Sequence, residues 1–200
     1  MPDHLPSPHG GVLVDLLASE PRRHELRELS SDWPSWTLGP RQLADLELLL
    51  CGGFSPLRGY PGEAEHASIL SDMRLRDGTF WPVPLSLRVS EWFAEALSSG
   101  DHVALRDPEG VMLAALRVEQ VFRPPAEAER RTNPEAPASE GPVALAGPLE
   151  GVQLPLHYDF RDLRPTPAEL RARFARLGWR RVLACQAAEP FHRSEVEATL

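Results

Sequence analysis

The residues best suited to chemistry lie near the end of the 200-residue sequence. The apolar run RRVLACQ ends on Gln186, and His192 and Arg193 then open the segment HRSEVEATL. An imidazole and a guanidinium at a helix start, just after a buried strand, suit phosphate oxygens, because the helix N-terminus adds its own N–H donors. The same pair also fits a plain polar helix start. Gln186 is open to two readings as well: an amide facing a ligand, or a cap for backbone groups at a strand end. Arginines at 171, 173, 176, 180 and 181 lie upstream. Three of them recur at helical spacing, which favours a solvated face over an anion site. His9, beside Gly10 and Gly11, reads as a turn residue, since one histidine makes no metal site. Phe80 and Trp81 read as core.

These residues need elements to position them. TPAELRARFARLGW predicts a helix capped by Thr166, opened by Pro167 and supported by Glu169. RRVLACQ then predicts a strand of the kind buried in a parallel sheet. Helix, buried strand, loop and helix start form the opening of a doubly wound α/β domain. The preceding chain reads differently. SEPRRHELRELS has helix character, with Ser19 as cap. Pro40 opens a helix bearing Leu43, Leu46, Leu49 and Leu50 on one face, and Gly52-Gly53 ends it. Another helix is expected from Glu63 to Met73. FWPVPLSLRV predicts an edge strand with Val83, Leu85, Leu87 and Val89 on one side. SEWFAEALSSG predicts a short helix capped by Ser90. HVALRDPEGVMLAALRVEQVF predicts two strands joined by a type I turn at DPEG. The proline-rich stretch from Arg123 to Pro142 predicts a long connection, and VALAGPLEGVQLPL two short strands. The middle section is expected to be a small, bent β-barrel decorated with short helices.

Composition narrows the classes. The net charge is −8, so bulk charge argues against nucleic-acid binding. Every basic residue is arginine. That excludes lysine Schiff-base chemistry and the lysine of a P-loop. Two distant cysteines, Cys51 and Cys185, suggest buried thiols rather than a disulfide framework. The N-terminus lacks the pattern of a secretory signal, and no apolar run approaches the roughly 20 residues that cross a bilayer. A cytoplasmic protein is expected, with no membrane partner.

Several segments together resemble the ATP sulfurylase (sulfate adenylyltransferase) family. They are SPHGGVLVDLL, RQLADLELLLCGGFSPLRGY, DMRLRDGTFWPVPLSL, GDHVALRDPEGVMLAALRVEQVF and RPTPAELRARFARLGWRRVLACQ. The resemblance implies an α+β chain in two parts. Residues 1–165 are a PUA-like β-barrel domain and its connection. Residues 166–200 are the start of a Rossmann-like nucleotidyltransferase domain, expected to be incomplete. The family joins ATP and sulfate to give adenylyl sulfate and pyrophosphate, using ATP with Mg2+. No cofactor is expected on this chain itself. The partners that the resemblance implies are ATP and sulfate, with an adenylyl-sulfate kinase domain or further copies of the chain.

The family carries the motif Q-T-R-N-P-x-H-R-x-H. Here Gln186, Pro190, His192 and Arg193 agree with it, whereas Ala187, Ala188, Glu189 and Glu195 depart from it. The resemblance makes His192 a catalytic residue of a degenerate motif, and Gln186 and Arg193 substrate-binding residues. In the family, the motif's glutamine and first arginine hold sulfate, while its asparagine and histidines face the nucleotide phosphates. Ala188 removes a guanidinium, and Glu189 and Glu195 place carboxylates where the ligands are anionic. Weak or absent sulfurylase activity is therefore expected. The alternatives are a piece of an active or bifunctional sulfurylase/kinase, and a non-catalytic assembly or RNA-binding PUA-like module.

Overall fold

A computed structural model describes residues 5–125, 141–184, 192, 193 and 197. The chain forms two compact units. One spans residues 7–168, and the other joins residues 1–6 to 169–200.

The larger unit is built on one curled sheet. Its strands are β1 (Ser35–Thr37), β2 (Gly59–Tyr60), β3 (Leu87–Val89), β4 (His102–Arg106), β5 (Met112–Arg117), β6 (Gln120–Phe122) and β7 (Val143–Gly151). The main path runs β1-β4-β5-β7-β2, and β3 and β6 also pair with β7. Only β1 and β4 run parallel; the other pairs are antiparallel. The path ends at β1 and β2 among the described residues, so the expected barrel is a half-barrel.

β7 is the strand on which the sheet turns. Residues 143–145 pair with β3 and 144–146 with β6. Gly147 and Pro148 pair with β2, and residues 149–151 with β5. The sequence suggested two short strands here, because Gly-Pro normally breaks a ladder. The neighbours explain the difference. A Cβ on Gly147 would strike the carbonyl oxygen of Arg117. A residue without one lets two strands cross closely, and the flanking partners carry the strand on through the proline.

Helices cover the sheet on both faces. They are α1 (Glu20–Leu29), α2 (Pro40–Leu50), α3 (Glu63–Asp72) and α4 (Glu91–Glu95). Leu46, Leu49 and Leu50 of α2 pack with Leu87, Val89, Val103, Leu105, Leu113 and Leu145 in the main core. On the other face, Leu26 of α1 meets Ala104, Met112, Ala115 and Val152. Alternate residues of β4 thus serve different cores, as the two-residue period of a strand requires. Leu113, Leu116 and Leu145 are fully buried.

Local signals behave as chemistry dictates. Ser90 Oγ accepts the N–H of Phe93, capping α4. Gly52, at φ +86°, ends α2. Gly110 N–H reaches the Asp107 carbonyl in the β4–β5 turn. Leu85, Leu87 and Val89 are buried, but Val83 is half exposed because the two prolines hold residues 81–86 outside any strand. Trp81 packs with Ile69 and Leu75, whereas Phe80 is half exposed beneath the Arg74 guanidinium. GGVLVDLLA forms no strand, only an isolated bridge from Leu17 to Gly151.

An ion pair ties α1 to the end of β7. Arg22 donates from Nε and Nη2 to the two Glu150 oxygens, at 2.8 and 2.7 Å. This pair holds the Glu150 carboxyl below its usual range. Beyond β7, His157 Nε2 lies 2.8 Å from Glu47 Oε2 on α2, fastening the connector to the barrel.

Two substitutions test this framework. Gly52→Ala would put a Cβ 2.5 Å from the Val14 carbonyl oxygen at a left-handed φ. It should cost about 1–3 kcal/mol, read as a lower urea midpoint. Glu150→Gln should cost about 1 kcal/mol or less, since both side chains are partly solvated. A carboxyl lowered in the folded state stabilises above its unfolded pKa and loses that effect as pH falls through the folded value. The gap between wild type and Glu150→Gln should therefore be constant near neutrality and close below about pH 4.3.

Candidate functional site

The smaller unit carries the residues singled out for anion chemistry. Helix α5 (Pro167–Arg176) forms where Thr166-Pro167 predicted it. Gly178, at φ +67°, reverses the chain, and the Trp179 N–H returns to the Phe174 carbonyl. The Phe174 and Trp179 rings stack 5.6 Å apart. Arg173, Arg176, Arg180 and Arg181 are exposed, in keeping with a solvated face. Arg171 Nη2 donates to the Pro6 carbonyl at 2.6 Å.

The buried strand expected at RRVLACQ is not seen at residues 181–184. They take no regular structure, and Val182 and Leu183 are exposed. A parallel strand exists only through hydrogen bonds to neighbouring strands, and among the described residues none pairs with this segment. Cys185, Gln186, Ala188, Glu189 and Glu195 lie outside the described residues.

His192 and Arg193 are both exposed, and Arg193 and Glu197 are helical. Arg193 Nε donates to Glu197 Oε1 at 2.9 Å, one helical turn on. Their side chains are 92% and 63% exposed, so the pair holds by about 1 kcal/mol or less. A multiply charged oxyanion competes readily with one solvated carboxylate for this guanidinium. The pair therefore sits as the sequence places it, at a helix start open to solvent. The position of Gln186 relative to it falls outside the described residues.

Other readings resolve plainly. His9 Nε2 lies 2.7 Å from the Phe80 carbonyl oxygen, so it pins the N-terminal turn. Burial pushes the Cys51 thiol up, which leaves it a poor nucleophile. Among the described residues no three His, Cys, Asp or Glu side chains gather as metal ligands, and no helix is long and apolar enough to cross a membrane. Sequence reasoning missed the Arg22–Glu150 and His157–Glu47 pairs. Each joins residues more than a hundred positions apart, and no local pattern announces such a contact.

Similarity to known proteins fits this architecture. Residues 6–153 match a PUA-like domain and residues 161–200 match ATP-sulfurylase. The sulfate adenylyltransferase of Saccharomyces cerevisiae is 43% identical over 209 residues, covering 98% of this chain and 41% of that protein. The sulfate adenylyltransferase of Emericella nidulans is 39% identical, over 97% of this chain and 36% of its own length. A solved structure, the hexameric APS kinase from Thiobacillus denitrificans, superposes with a TM-score of 0.84 at 40% identity, over 98% of this chain and 36% of that one. The chain thus spans about two-fifths of the length of the curated relatives it matches. It belongs to the ATP-sulfurylase (sulfate adenylyltransferase) family, with that family's PUA-like domain and a segment of its ATP-sulfurylase region.

Proposed function

We propose that the protein is a sulfate-activation module in which sulfurylase catalysis is lost or nearly lost, and that it serves as the structural base for an adenylyl-sulfate kinase. The observation that carries this reading is the run from Gln186 to Glu195, QAAEPFHRSE, in place of Q-T-R-N-P-x-H-R-x-H. We assign residues 1–165 to the PUA-like domain with its connection and residues 166–200 to the nucleotidyltransferase domain of Rossmann-like type. A cytoplasmic setting accompanies this role.

The family reaction brings two anions together. A sulfate oxygen attacks the α-phosphorus of ATP, and the bond to pyrophosphate breaks. The protein supplies position and positive charge rather than a covalent step. In this reading His192 and Arg193 hold phosphate oxygens and Gln186 holds sulfate. Magnesium, carried by the nucleotide, supplies charge neutralisation. Ala188 offers no donor where a forked guanidinium is needed. One charge-assisted hydrogen bond is worth about 1.5–3 kcal/mol, which is about tenfold to a hundredfold in rate. Glu189 and Glu195 add repulsion at the same place, so the combined loss reaches several orders of magnitude.

The kinase role draws on the kinship with a hexameric APS kinase, in which a chain 40% identical to this one forms about a third of the protein. The second reading is a working sulfurylase within a longer protein, and it draws on the sulfate adenylyltransferases at 39–43% identity.

Pyrophosphate release separates the two. The whole protein bearing this chain, given ATP and sulfate, should release pyrophosphate at about a thousandth of the rate of a family sulfurylase or less. It should phosphorylate adenylyl sulfate, alone or with a co-purifying kinase. Ala188→Arg combined with Glu189→Asn and Glu195→His should raise pyrophosphate release. A wild-type rate near that of a sulfurylase refutes the proposal.

A further inference from the structure

The larger unit contains an open cleft of about 600 Å³ between the β2 segment, the start of α3 and the β5–β6 junction. It is lined by Arg58, Arg76, Arg117, Glu65, Glu119 and Gln120, among others. In a chain of net charge −8, this is a local concentration of guanidinium groups.

The decisive feature is which arginines are already satisfied. From α1 to the connector, most described arginine side chains have a polar or ionic partner. Arg22, Arg23, Arg41, Arg117 and Arg123 face carboxylates. Arg27 reaches Gln153, and Arg74, Arg88, Arg106 and Arg161 reach backbone carbonyls. Among the described residues of this stretch, the Arg58, Arg76 and Arg164 guanidiniums have no such partner, and the first two line this one cleft. Each of the cleft's two carboxylates has a hydrogen-bond partner, and that of Glu119 is a guanidinium. Glu119 Oε1 takes Arg117 Nη2 at 2.6 Å, and Glu65 Oε1 takes the Arg76 backbone N–H at 2.9 Å.

The walls are fixed. Leu149 N–H bonds to the Arg58 carbonyl, and β2 pairs with β7 at Gly147 and Pro148. Gln120 Oε1 accepts the Glu63 N–H at 2.9 Å, which closes the helix start from within the protein. The two open guanidiniums therefore stand on a preformed frame. Fork-shaped donors on such a frame recognise tetrahedral oxyanions, and the volume lies in the range of small-molecule sites.

We infer that this cleft of the larger unit is an anion site for a small molecule bearing a phosphate or sulfate group held by Arg58 and Arg76. The site does not depend on the reading given for sulfurylase activity.

Calorimetric titration of the full chain with pyrophosphate and with ADP tests the inference. Both carry the oxyanion, and only ADP adds a nucleoside. Saturable binding is expected, weakened about tenfold or more by either Arg58→Gln or Arg76→Gln and by added salt. Arg123→Gln should retain it. Equal affinity for the two ligands identifies the oxyanion alone as the recognised group, and tighter ADP binding identifies a nucleotide. Both arginines are exposed, so an unchanged thermal transition will show that the variants fold. The inference is overturned if neither ligand saturates by about 10 mM, if Arg58→Gln/Arg76→Gln binds like wild type, or if Arg193→Gln alone abolishes binding.

Discussion

The larger unit rests on the backbone hydrogen bonds of β7. That strand of nine residues pairs with β3, β6, β2 and β5. Its first half lies between β3 and β6, and its second half pairs with β2 at Gly147 and Pro148 and with β5 beyond, so every residue along it has a partner in the sheet. Buried backbone groups left unpaired would be costly. The arrangement satisfies them while bringing α2 onto one face and α1 onto the other. Gly147 makes it possible, because the chain of Arg117 crosses where any side chain would begin.

The same strand links the fold to its polar features. Glu150, near its end, holds Arg22 of α1. Gly147 and Pro148 form part of the floor of the arginine cleft. The connector that leaves β7 is fastened through His157 to Glu47 on α2. Around and past that point Leu156, Tyr158, Phe160 and Leu163 are exposed. The barrel thus carries its charges on a rigid frame, whereas His192 and Arg193 stand in the other unit with solvent around them.

Much of the fold was legible because its signals are local. Pro40 and Gly52 bracket α2, Ser90 caps α4, and Asp107 and Gly110 turn β4 into β5; each works within four residues of chain. The half-barrel's central strand was less legible. Gly147-Pro148 reads as a break unless its neighbours are known. Val83 keeps the strand alternation but lies where prolines prevent pairing. The segment 181–184 is apolar enough for a strand, yet composition cannot supply a partner. In the site, His192 and Arg193 could be read from type and position. Arg58 and Arg76 could not, because β2 and the turn after α3 bring them to one cleft, and no spacing in the sequence encodes that meeting.

The order in which the chain is made gives β7 another importance. β2 and β3 emerge early during synthesis, yet their hydrogen-bonding partner is a strand from residues 143–151. The β4–β5 hairpin closes with neighbours alone, but the rest of the sheet waits for distant contacts, which slows folding. Until that strand is released, β3 stands as an open edge bearing Leu87 and Val89. A nascent chain halted before residue 143 is thus the form most exposed to wrong pairing and to chaperone capture.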